Sequence, residues 1–334
     1  METILEVNNL HVTFTTYGGT VKAVRGVDFH LYKGETLAIV GESGSGKSVT
    51  ANAIMRLIPH PPGKITAGTI RFKGREVTKL SEKEMRTLRG DDVSMIFQDP
   101  MTALNPTLTI GTQLMEGLRQ HQKTPRHLAK KKALEMMNVV GISNAEERLK
   151  QYPHQFSGGM RQRIVIAMAL ICDPELLIAD EPTTALDVTV QAQILELFED
   201  IQKRTGVSII LITHDLGVVA SIADRIAVMY AGKMIEMGTK REVFYNPQHP
   251  YTKGLLHSVP RLDVQKEQLT SIDGTPPDLF SPPSGCPFAA RCSWTMEVCE
   301  HVYPEQTALT PSHRVDCWLQ DERAKHVVTS MTRK

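Results

Sequence analysis

The sequence predicts an α/β fold in which short apolar strands alternate with helices. One observation is the segment Gly41–Ser48, GESGSGKS, a glycine-rich turn that follows the apolar strand Thr36–Val40 and opens a helix. A second is the pair of largely apolar runs at Leu176–Ala179 and Ser208–Thr213, which have the composition of buried strands. The amphipathic helix predicted over Val188–Lys203 joins them. Strands separated by helices in this way are typical of α/β proteins with a parallel sheet.

The remaining elements follow from local patterns along the chain. Apolar and β-branched residues in partial alternation predict strands over Ile4–Phe14 and Val27–Leu31. A helix is predicted over Val49–Ile58, where a turn rich in proline and glycine ends it. A hairpin is predicted from Ile226–Tyr230 and Met234–Met237, which Ala-Gly-Lys joins.

Composition narrows the possible functions. The chain has 334 residues, which suggests about two domains, and its formal net charge of +1 gives no general attraction to nucleic acid or to an anionic membrane. The longest apolar run, Ile164–Cys172, is far shorter than the roughly 18 residues that span a bilayer. The N-terminal METILEVNNL does not resemble a signal peptide. We therefore expect a cytosolic chain that would need a separate spanning partner for any role at a membrane, and no nucleic-acid partner.

The glycine-rich turn has the chemistry of a phosphate-binding loop. Its glycines allow backbone N–H groups to turn towards a β-phosphate, and the helix N-terminus adds positive potential. Lys47 would supply a point charge to the β- and γ-phosphates, and Ser48 Oγ could ligate Mg²⁺. The residues expected to contact a nucleotide here are Gly41, Ser43, Gly44, Ser45, Gly46, Lys47, Ser48 and Val49.

Acidic and histidine side chains follow the two buried strands. Asp180 and Glu181 end the first, and because neighbouring strand residues point to opposite sides, they can have different roles. Asp180 would hold Mg²⁺, and Glu181 would polarise the water that attacks a γ-phosphate. His214 follows the second strand and would contact that phosphate. A lone histidine in this position is more often structural, but its pairing with the two carboxylates favours a function.

Five motifs in this order resemble the ATPase subunit of ATP-binding cassette (ABC) transporters. They are the phosphate loop, Gln98, SGGMRQR at Ser157–Arg163, LLIADE at Leu176–Glu181, and His214. The resemblance implies a RecA-like P-loop ABC ATPase core with an antiparallel β subdomain and a helical subdomain at about residues 100–160. It implies that Lys47, Gln98, Glu181 and His214 are catalytic and that ATP is the substrate.

The resemblance also implies how the nucleotide is held. Gln98 is expected to join Ser48 and Asp180 at Mg²⁺. The N–H groups of Ser157, Gly158 and Gly159 would contact the ATP of a second, facing subunit in a head-to-tail dimer. Asp187 would act across that dimer, or serve as an N-cap of the helix at Val188, and both can hold. Tyr17 would stack on adenine, with ordinary strand packing as the alternative.

The form SGGMRQR, followed by Ile166–Leu170, resembles the D-type ATPase subunit of the Dpp and Opp systems. Two further segments resemble the narrower group to which that subunit belongs, the ATPases of oligopeptide and dipeptide importers. These are NPQHPYTKGLL at Asn246–Leu256 and the region Gly285–Cys317. This resemblance implies a nucleotide-binding domain at residues 1–250 and an importer-type C-terminal domain at 251–334. The implied partners are a second, F-type ATPase subunit, two transmembrane permease subunits and an extracytoplasmic peptide-binding protein. The chain would lie peripherally on the cytoplasmic face of the membrane.

Four of the five cysteines cluster in the proline-rich tail: Cys286, Cys292, Cys299 and Cys317. Four thiolates suit Zn²⁺ or an iron–sulfur cluster, and free cysteines in a small core are the plain alternative. The first spacings, with five and six intervening residues, are wider than the usual zinc knuckle. The resemblance implies a 4Fe-4S cluster, with Zn²⁺ as the second choice, and Cys172 is excluded because it ends a buried helical run. For the whole chain the alternatives are a soluble ABC ATPase that is not coupled to transport, and an importer ATPase for nickel or another non-peptide solute.

Overall fold

The computed structural model describes residues 2–99, 103–184, 186–258 and 272–324, and the chain divides into two compact units. The first unit comprises Met1–Leu5, Leu31–Thr36 and Arg71–Thr213, and the second comprises Glu6–His30, Leu37–Ile70 and His214–Lys334. The phosphate loop and the cysteine-rich tail therefore belong to the second unit, whereas LLIADE and SGGMRQR belong to the first.

The described strands, in chain order, are β1 (Thr3–Thr16), β2 (Gly19–Tyr32), β3 (Thr36–Val40), β4 (Gly63–Phe72), β5 (Arg75–Glu76), β6 (Val93–Ile96), β7 (Leu176–Asp180), β8 (Ser208–Thr213), β9 (Arg225–Tyr230), β10 (Lys233–Thr239), β11 (Thr307–Ala308) and β12 (Arg314–Val315). The described α-helices are α1 (Lys47–Ile54), α2 (Glu82–Leu88), α3 (Ile110–His121), α4 (Arg126–Val139), α5 (Ala145–Arg148), α6 (Gly158–Leu170), α7 (Val188–Thr205), α8 (Leu216–Ile222), α9 (Lys240–Tyr245), α10 (Pro250–His257) and α11 (Glu297–His301).

The first unit is built on a parallel arrangement of β6, β7 and β8, with β7 in the centre. Every residue of β7 and β8 is buried, which explains why the central residues of both strands are apolar in sequence rather than alternating. The helices α3 to α6 follow β6 along the chain, in agreement with the predicted helical character of this region. Helix α7 ends at Thr205, two residues beyond its predicted end, because the next residue, Gly206, has a left-handed backbone (φ 70°).

In the second unit, five strands lie in the order β11-β12-β10-β9-β3. Strand β3 pairs in parallel with β9, and β9 and β10 form the predicted antiparallel hairpin. Its two turn residues, Ala231 (φ 46°) and Gly232 (φ 81°), both have positive φ, as tight hairpin turns require. Strands β2, β1 and β4 are neighbours in a separate sheet, and β1 and β2 extend beyond the predicted segments.

The prediction for the helix after the phosphate loop is correct in type but wrong in its bounds. The helix begins at Lys47 rather than Val49 because Gly46, at φ 102°, is its N-cap. It ends at Ile54 because the chain reaches a left-handed residue at Arg56 (φ 50°), before the prolines that suggested the end. None of the helices in the described ranges combines the length and the hydropathy that a membrane crossing would need.

Candidate functional site

The phosphate loop depends on glycine at two positions. Gly41 has φ 152°, and a Cβ atom there would lie 2.1 Å from the backbone oxygen of Met229. Gly46 has φ 102°, and a Cβ atom there would lie 2.5 Å from the backbone oxygen of Ala23. A side chain at either position would therefore displace the neighbouring backbone. Glycine, which has no side chain, allows this close approach.

Lys47 and Ser45 place polar atoms against this loop. Lys47 is only 5% exposed, and its Nζ donates hydrogen bonds to the backbone oxygens of Gly41 (2.7 Å) and Glu42 (2.9 Å). The hydroxyl of Ser45 is buried and has no hydrogen-bond partner among the described residues. Since a buried hydroxyl usually finds a partner, this donor suits an anion bound in the loop.

In the first unit, the end of β7 places the two acidic residues in different environments. Asp180 is the last residue of the strand and is 5% exposed. Glu181 has a left-handed backbone, with φ 48°, and its N–H donates to the backbone oxygen of Ile212 at 2.9 Å. Glu181 therefore lies beyond the strand, so the strand alternation used in the sequence analysis does not extend to it. Such a conformation is uncommon for a residue other than glycine and is found preferentially at functional sites.

The carboxylate of Glu181 is held by two neighbouring side chains. Its Oε2 accepts a hydrogen bond from Gln98 Nε2 at 2.9 Å and another from Thr184 Oγ1, also at 2.9 Å. Gln98 and Glu181 lie 83 positions apart, and the structure brings together these two residues of the predicted site. Thr184 was not predicted, because a threonine just after a strand has no sequence signature of its own.

The SGG segment opens helix α6 at an exposed N-terminus. Ser157 is the N-cap, and its hydroxyl accepts a hydrogen bond from a backbone N–H of the first turn. A Cβ atom on Gly158 would meet nothing within 4 Å, whereas one on Gly159 would lie 2.7 Å from Val190 Cγ1. Gly159 therefore permits close packing of α6 on α7. Asp187 caps α7 by accepting from the N–H of Val190 at 2.9 Å, which confirms the predicted N-cap.

Tyr17 and His214 both present exposed side chains. Tyr17 lies in the turn between β1 and β2 and is fully exposed, so the alternative of ordinary strand packing is wrong. A turn places the ring beyond the last strand residue, where no neighbouring strand covers it. His214 follows β8 directly and is also exposed. Their proposed contacts with adenine and γ-phosphate stay predictions.

The four cysteines of the tail line one small cavity, together with His249, Phe288, Trp294, Trp318 and Leu319. Backbone N–H groups donate to three of the sulfur atoms, those of Cys286, Cys292 and Cys317. Burial raises the pKa of Cys286 to about 11 and that of Cys317 to about 12, so without a bound cation both remain thiols. Cys172 belongs to the first unit, where it is buried and packs against Leu118 and Ala129, and it is not among the residues that line this cavity.

A buried histidine gives an independent test of whether this cavity suits a cofactor. His249 Nδ1 accepts the N–H of Tyr251 at 3.0 Å, so the neutral ring has its hydrogen on Nε2. Within the described part of the chain, that buried Nε2 has no partner. Thiol ligands, amide donors and an unused N–H are the groups that surround iron–sulfur clusters. However, no three of the described histidine, cysteine and acidic side chains are grouped so that they could hold a metal ion, so the sulfur atoms would have to converge on binding.

Comparisons with known proteins agree with these motifs. A family model described as ABC transporter matches residues 24–184, and one described as Oligopeptide/dipeptide transporter, C-terminal region, matches residues 235–299. The dipeptide transport ATP-binding protein DppD of Bacillus subtilis (strain 168) is 69% identical over 330 residues, which are 99% of this chain and 98% of that protein. The oligopeptide transport ATP-binding protein OppD of Salmonella typhimurium is 52% identical over 315 residues, 94% of this chain and 93% of that protein.

A solved structure matches the fold at lower identity. It is the dimeric post-hydrolysis state of the ATP-binding cassette MJ0796 bound to ADP and Pi, with a TM-score of 0.64 and 27% identity. The match covers 71% of this chain and 99% of that one. The chain therefore belongs to the ABC transporter family, in its branch of oligopeptide and dipeptide transport ATP-binding proteins.

Proposed function

We propose that this chain is the ATP-hydrolysing subunit of a membrane importer that takes up dipeptides or oligopeptides. The observation that supports hydrolysis best is the carboxylate of Glu181, which Gln98 and Thr184 hold just beyond the end of β7. The identity of 69% to a dipeptide transport ATP-binding protein over nearly the whole chain supports the substrate class. A soluble ATPase without a transport partner, or an importer of nickel, has no comparable support.

The proposed roles follow from the chemistry of each side chain. Lys47 neutralises charge on the β- and γ-phosphates, and Ser48 and Asp180, with Gln98, would hold Mg²⁺. Magnesium, when bound, neutralises the charge that develops on the phosphate oxygens. Glu181 orients the attacking water and accepts its proton, as a general base does, and Gln98 and Thr184 fix the position of its carboxylate.

A second group of residues is proposed to act at the ends of the nucleotide. Ser157, Gly158 and Gly159 bind the γ-phosphate of ATP held by a facing subunit, because their N–H groups lie at the exposed N-terminus of α6. Asp187 acts across the same dimer in addition to capping α7. Tyr17 stacks on adenine, which its complete exposure allows. His214 contacts the γ-phosphate.

The proposed assembly joins this chain to a second, F-type ATPase subunit, two permease subunits and an extracytoplasmic binding protein. The chain is then peripheral on the cytoplasmic face of the membrane. Residues 1–250 would form the nucleotide-binding domain, in which β1, β2 and β4 are the antiparallel subdomain and residues of about 100–160 the helical one. Residues 251–334 would form the importer-type C-terminal domain.

We also propose that the tail holds a 4Fe-4S cluster, with Zn²⁺ as the second choice. The support is the shared cavity of four cysteines, the amide donors to their sulfur atoms and the unpartnered Nε2–H of His249. The ligands would be Cys286, Cys292, Cys299 and Cys317. Anaerobic purification followed by iron, sulfide and zinc analysis tests this. Stoichiometric zinc without iron would select the second choice, and full metal content in a Cys299→Ser form would remove that ligand.

The transport function is tested by reconstitution. The chain is assembled with its partner ATPase and permease subunits in lipid vesicles, and uptake of labelled dipeptide is measured with and without ATP. Lys47→Ala is expected to abolish uptake, and Lys203→Ala, an exposed lysine on α7, serves as the matched control. ATP-dependent uptake of Ni²⁺ but not of any peptide would contradict the proposed substrate, and failure of the chain to associate with permease subunits would contradict the transport role.

A further inference from the structure

Glu42, the second residue of the phosphate loop, is paired with a residue from the cysteine-rich tail. Arg291 Nη1 donates to Glu42 Oε2 at 2.8 Å, and Arg291 Nη2 donates to Oε1 at 3.1 Å. The arginine side chain is only 6% exposed. Two parallel charge-assisted hydrogen bonds of this kind fix direction as well as distance, and burial protects them from screening by salt.

Arg291 is itself held rigidly. Its Nε donates to the backbone oxygen of Asp273 at 2.8 Å, and its Nη2 also donates to that of Ile272 at 3.1 Å. Its Nη1 donates to the hydroxyl of Tyr230 at 3.1 Å. Because all three guanidinium nitrogens are bound, Arg291 holds Glu42 in one position rather than following its motion. In the chain Arg291 directly precedes Cys292, whose side chain lines the cysteine cavity.

The backbone of Glu42 is held from the same side. Its N–H donates to the hydroxyl of Tyr251 at 2.8 Å. Tyr251 is fully buried and packs against Tyr230 and Phe288, with ring centroids 4.5 Å and 5.4 Å away. Phe288 is part of the cavity wall beside the cysteines. Side chain and backbone of Glu42 are thus both bound by the tail and its surroundings.

The position of Glu42 matters for the loop because Lys47 depends on it. Lys47 Nζ donates to the backbone oxygen of Glu42, so displacement of Glu42 would also displace the ammonium group proposed to bind phosphate. A loop that is ordered before its ligand arrives binds more tightly, because less conformational entropy is lost on binding.

We propose that Arg291 is a positioning residue of the phosphate loop. Together with Tyr251 it holds Glu42 and, through it, Lys47 in the conformation that accepts a nucleotide, so that nucleotide affinity depends on the cysteine-rich tail. The inference rests on the proposed function of the loop as an ATP site. It assigns to the tail a direct effect on ATP binding, in addition to any cofactor that it holds.

The test compares full-length variants in two measurements. Binding of a fluorescent ATP analogue gives Kd, and ATP hydrolysis by the assembled transporter gives KM and kcat. Arg291→Met is expected to raise Kd and KM by about 5-fold to 150-fold, the usual range for coupling between sites, with kcat nearly unchanged. Arg291→Lys should recover only part of the affinity, because an ammonium group cannot make the bidentate contact.

Two further variants show whether the effect passes through Glu42. Glu42→Gln should weaken binding in the same way, and combining it with Arg291→Met should add little, because both remove one interaction. Tyr251→Phe keeps the packed ring and removes only the acceptor of the Glu42 N–H, so it should raise Kd with little effect on folding. The matched control is Arg323→Met, which removes an exposed arginine of the tail that pairs with Asp321 and should leave Kd unchanged.

A purely structural role would give a different pattern. Wild-type Kd in both Arg291→Met and Tyr251→Phe would overturn the inference, as would a loss in kcat with unchanged KM. The inference would also be overturned if the effects of Glu42→Gln and Arg291→Met on Kd simply added in the double variant. If the wild-type chain does not bind the ATP analogue, the proposed function fails and the inference with it, whereas tight wild-type binding with equally tight variants defeats the inference alone.

Discussion

Replacement of Glu181 by glutamine separates its proposed chemical role from its structural role. In the native side chain, Oε2 accepts hydrogen bonds from Gln98 and Thr184, each at 2.9 Å. The oxygen of a glutamine amide can accept the same two bonds, so the side chain should keep its position. The other oxygen, Oε1, then becomes an NH₂ group, which cannot take a proton from water.

The substitution is therefore expected to lower the rate of the chemical step and to leave ATP binding and stability nearly unchanged. General-base catalysis contributes about 100-fold to 10,000-fold to a rate, which corresponds to about 2.7 to 5.4 kcal/mol of transition-state stabilisation. Glu181→Gln should lower kcat of ATP hydrolysis by that factor. ATP affinity should stay within about twofold of wild type, because the substitution does not change the contacts that bind ATP before the reaction. The free energy of unfolding should change by less than about 0.5 kcal/mol, since the hydrogen bonds from Gln98 and Thr184 are kept.

The assay is ATP hydrolysis by the assembled transporter, with ATP binding and urea unfolding measured on the same preparations. Glu196→Gln, an exposed glutamate on α7, is the matched control and should behave as wild type in all three. Hydrolysis at the wild-type rate by the Glu181→Gln form would refute the assignment of Glu181 as the base. A large loss of stability would instead refute the argument that the amide preserves both hydrogen bonds.

Two further predictions follow from the geometry. Gly41→Ala should destabilise the fold by roughly 2 to 5 kcal/mol, because its Cβ would meet the backbone oxygen of Met229 and because alanine disfavours this backbone conformation. Gly44→Ala has open space around its Cβ and should cost less. Urea unfolding of the two variants measures the difference. Burial would raise the pKa of Glu242, but the hydrogen bonds that it accepts, including one from the N–H of Thr239, outweigh this and lower the pKa to about 2. Its stabilising effect is therefore present above the unfolded value of 4.5 and is lost as the pH falls towards 2. The unfolding free-energy difference between wild type and Glu242→Gln should accordingly shrink from about pH 5 to about pH 3.

The buried strands were predictable because the local amino-acid composition indicates their burial. Leu176–Ala179 and Ile209–Ile212 are apolar and are followed by polar residues, and the observed bounds, Leu176–Asp180 and Ser208–Thr213, differ from the predicted ones by one residue at most. The helix after the phosphate loop was harder. Its ends are set by left-handed backbones at Gly46 and Arg56, and hydrophobic periodicity contains no information about those conformations.

The site was predictable where a motif has a fixed spacing and not where a contact crosses the chain. Gln98 was identified from its place among the motifs, and the structure shows it in contact with Glu181. Thr184, which shares that carboxylate, was missed because nothing local distinguishes it from other threonines. The left-handed backbone of Glu181 was missed for the same reason, since it depends on how the strand ends and on the bond to Ile212.

The phosphate loop illustrates how a short motif depends on distant sequence. Eight residues suffice to identify it, yet Gly41 is required because the backbone of Met229 approaches it closely. Glu42 lies at a position that the motif leaves variable, and its partner Arg291 is 249 residues away in a tail with a different composition. A glutamate here would be an ordinary exposed residue if the tail did not cover it. The pair therefore joins a variable position of the loop to the tail of the same chain. It follows that substitutions around Cys292 should be measured for their effect on ATP binding as well as on cofactor content, because a change that frees Arg291 would alter both.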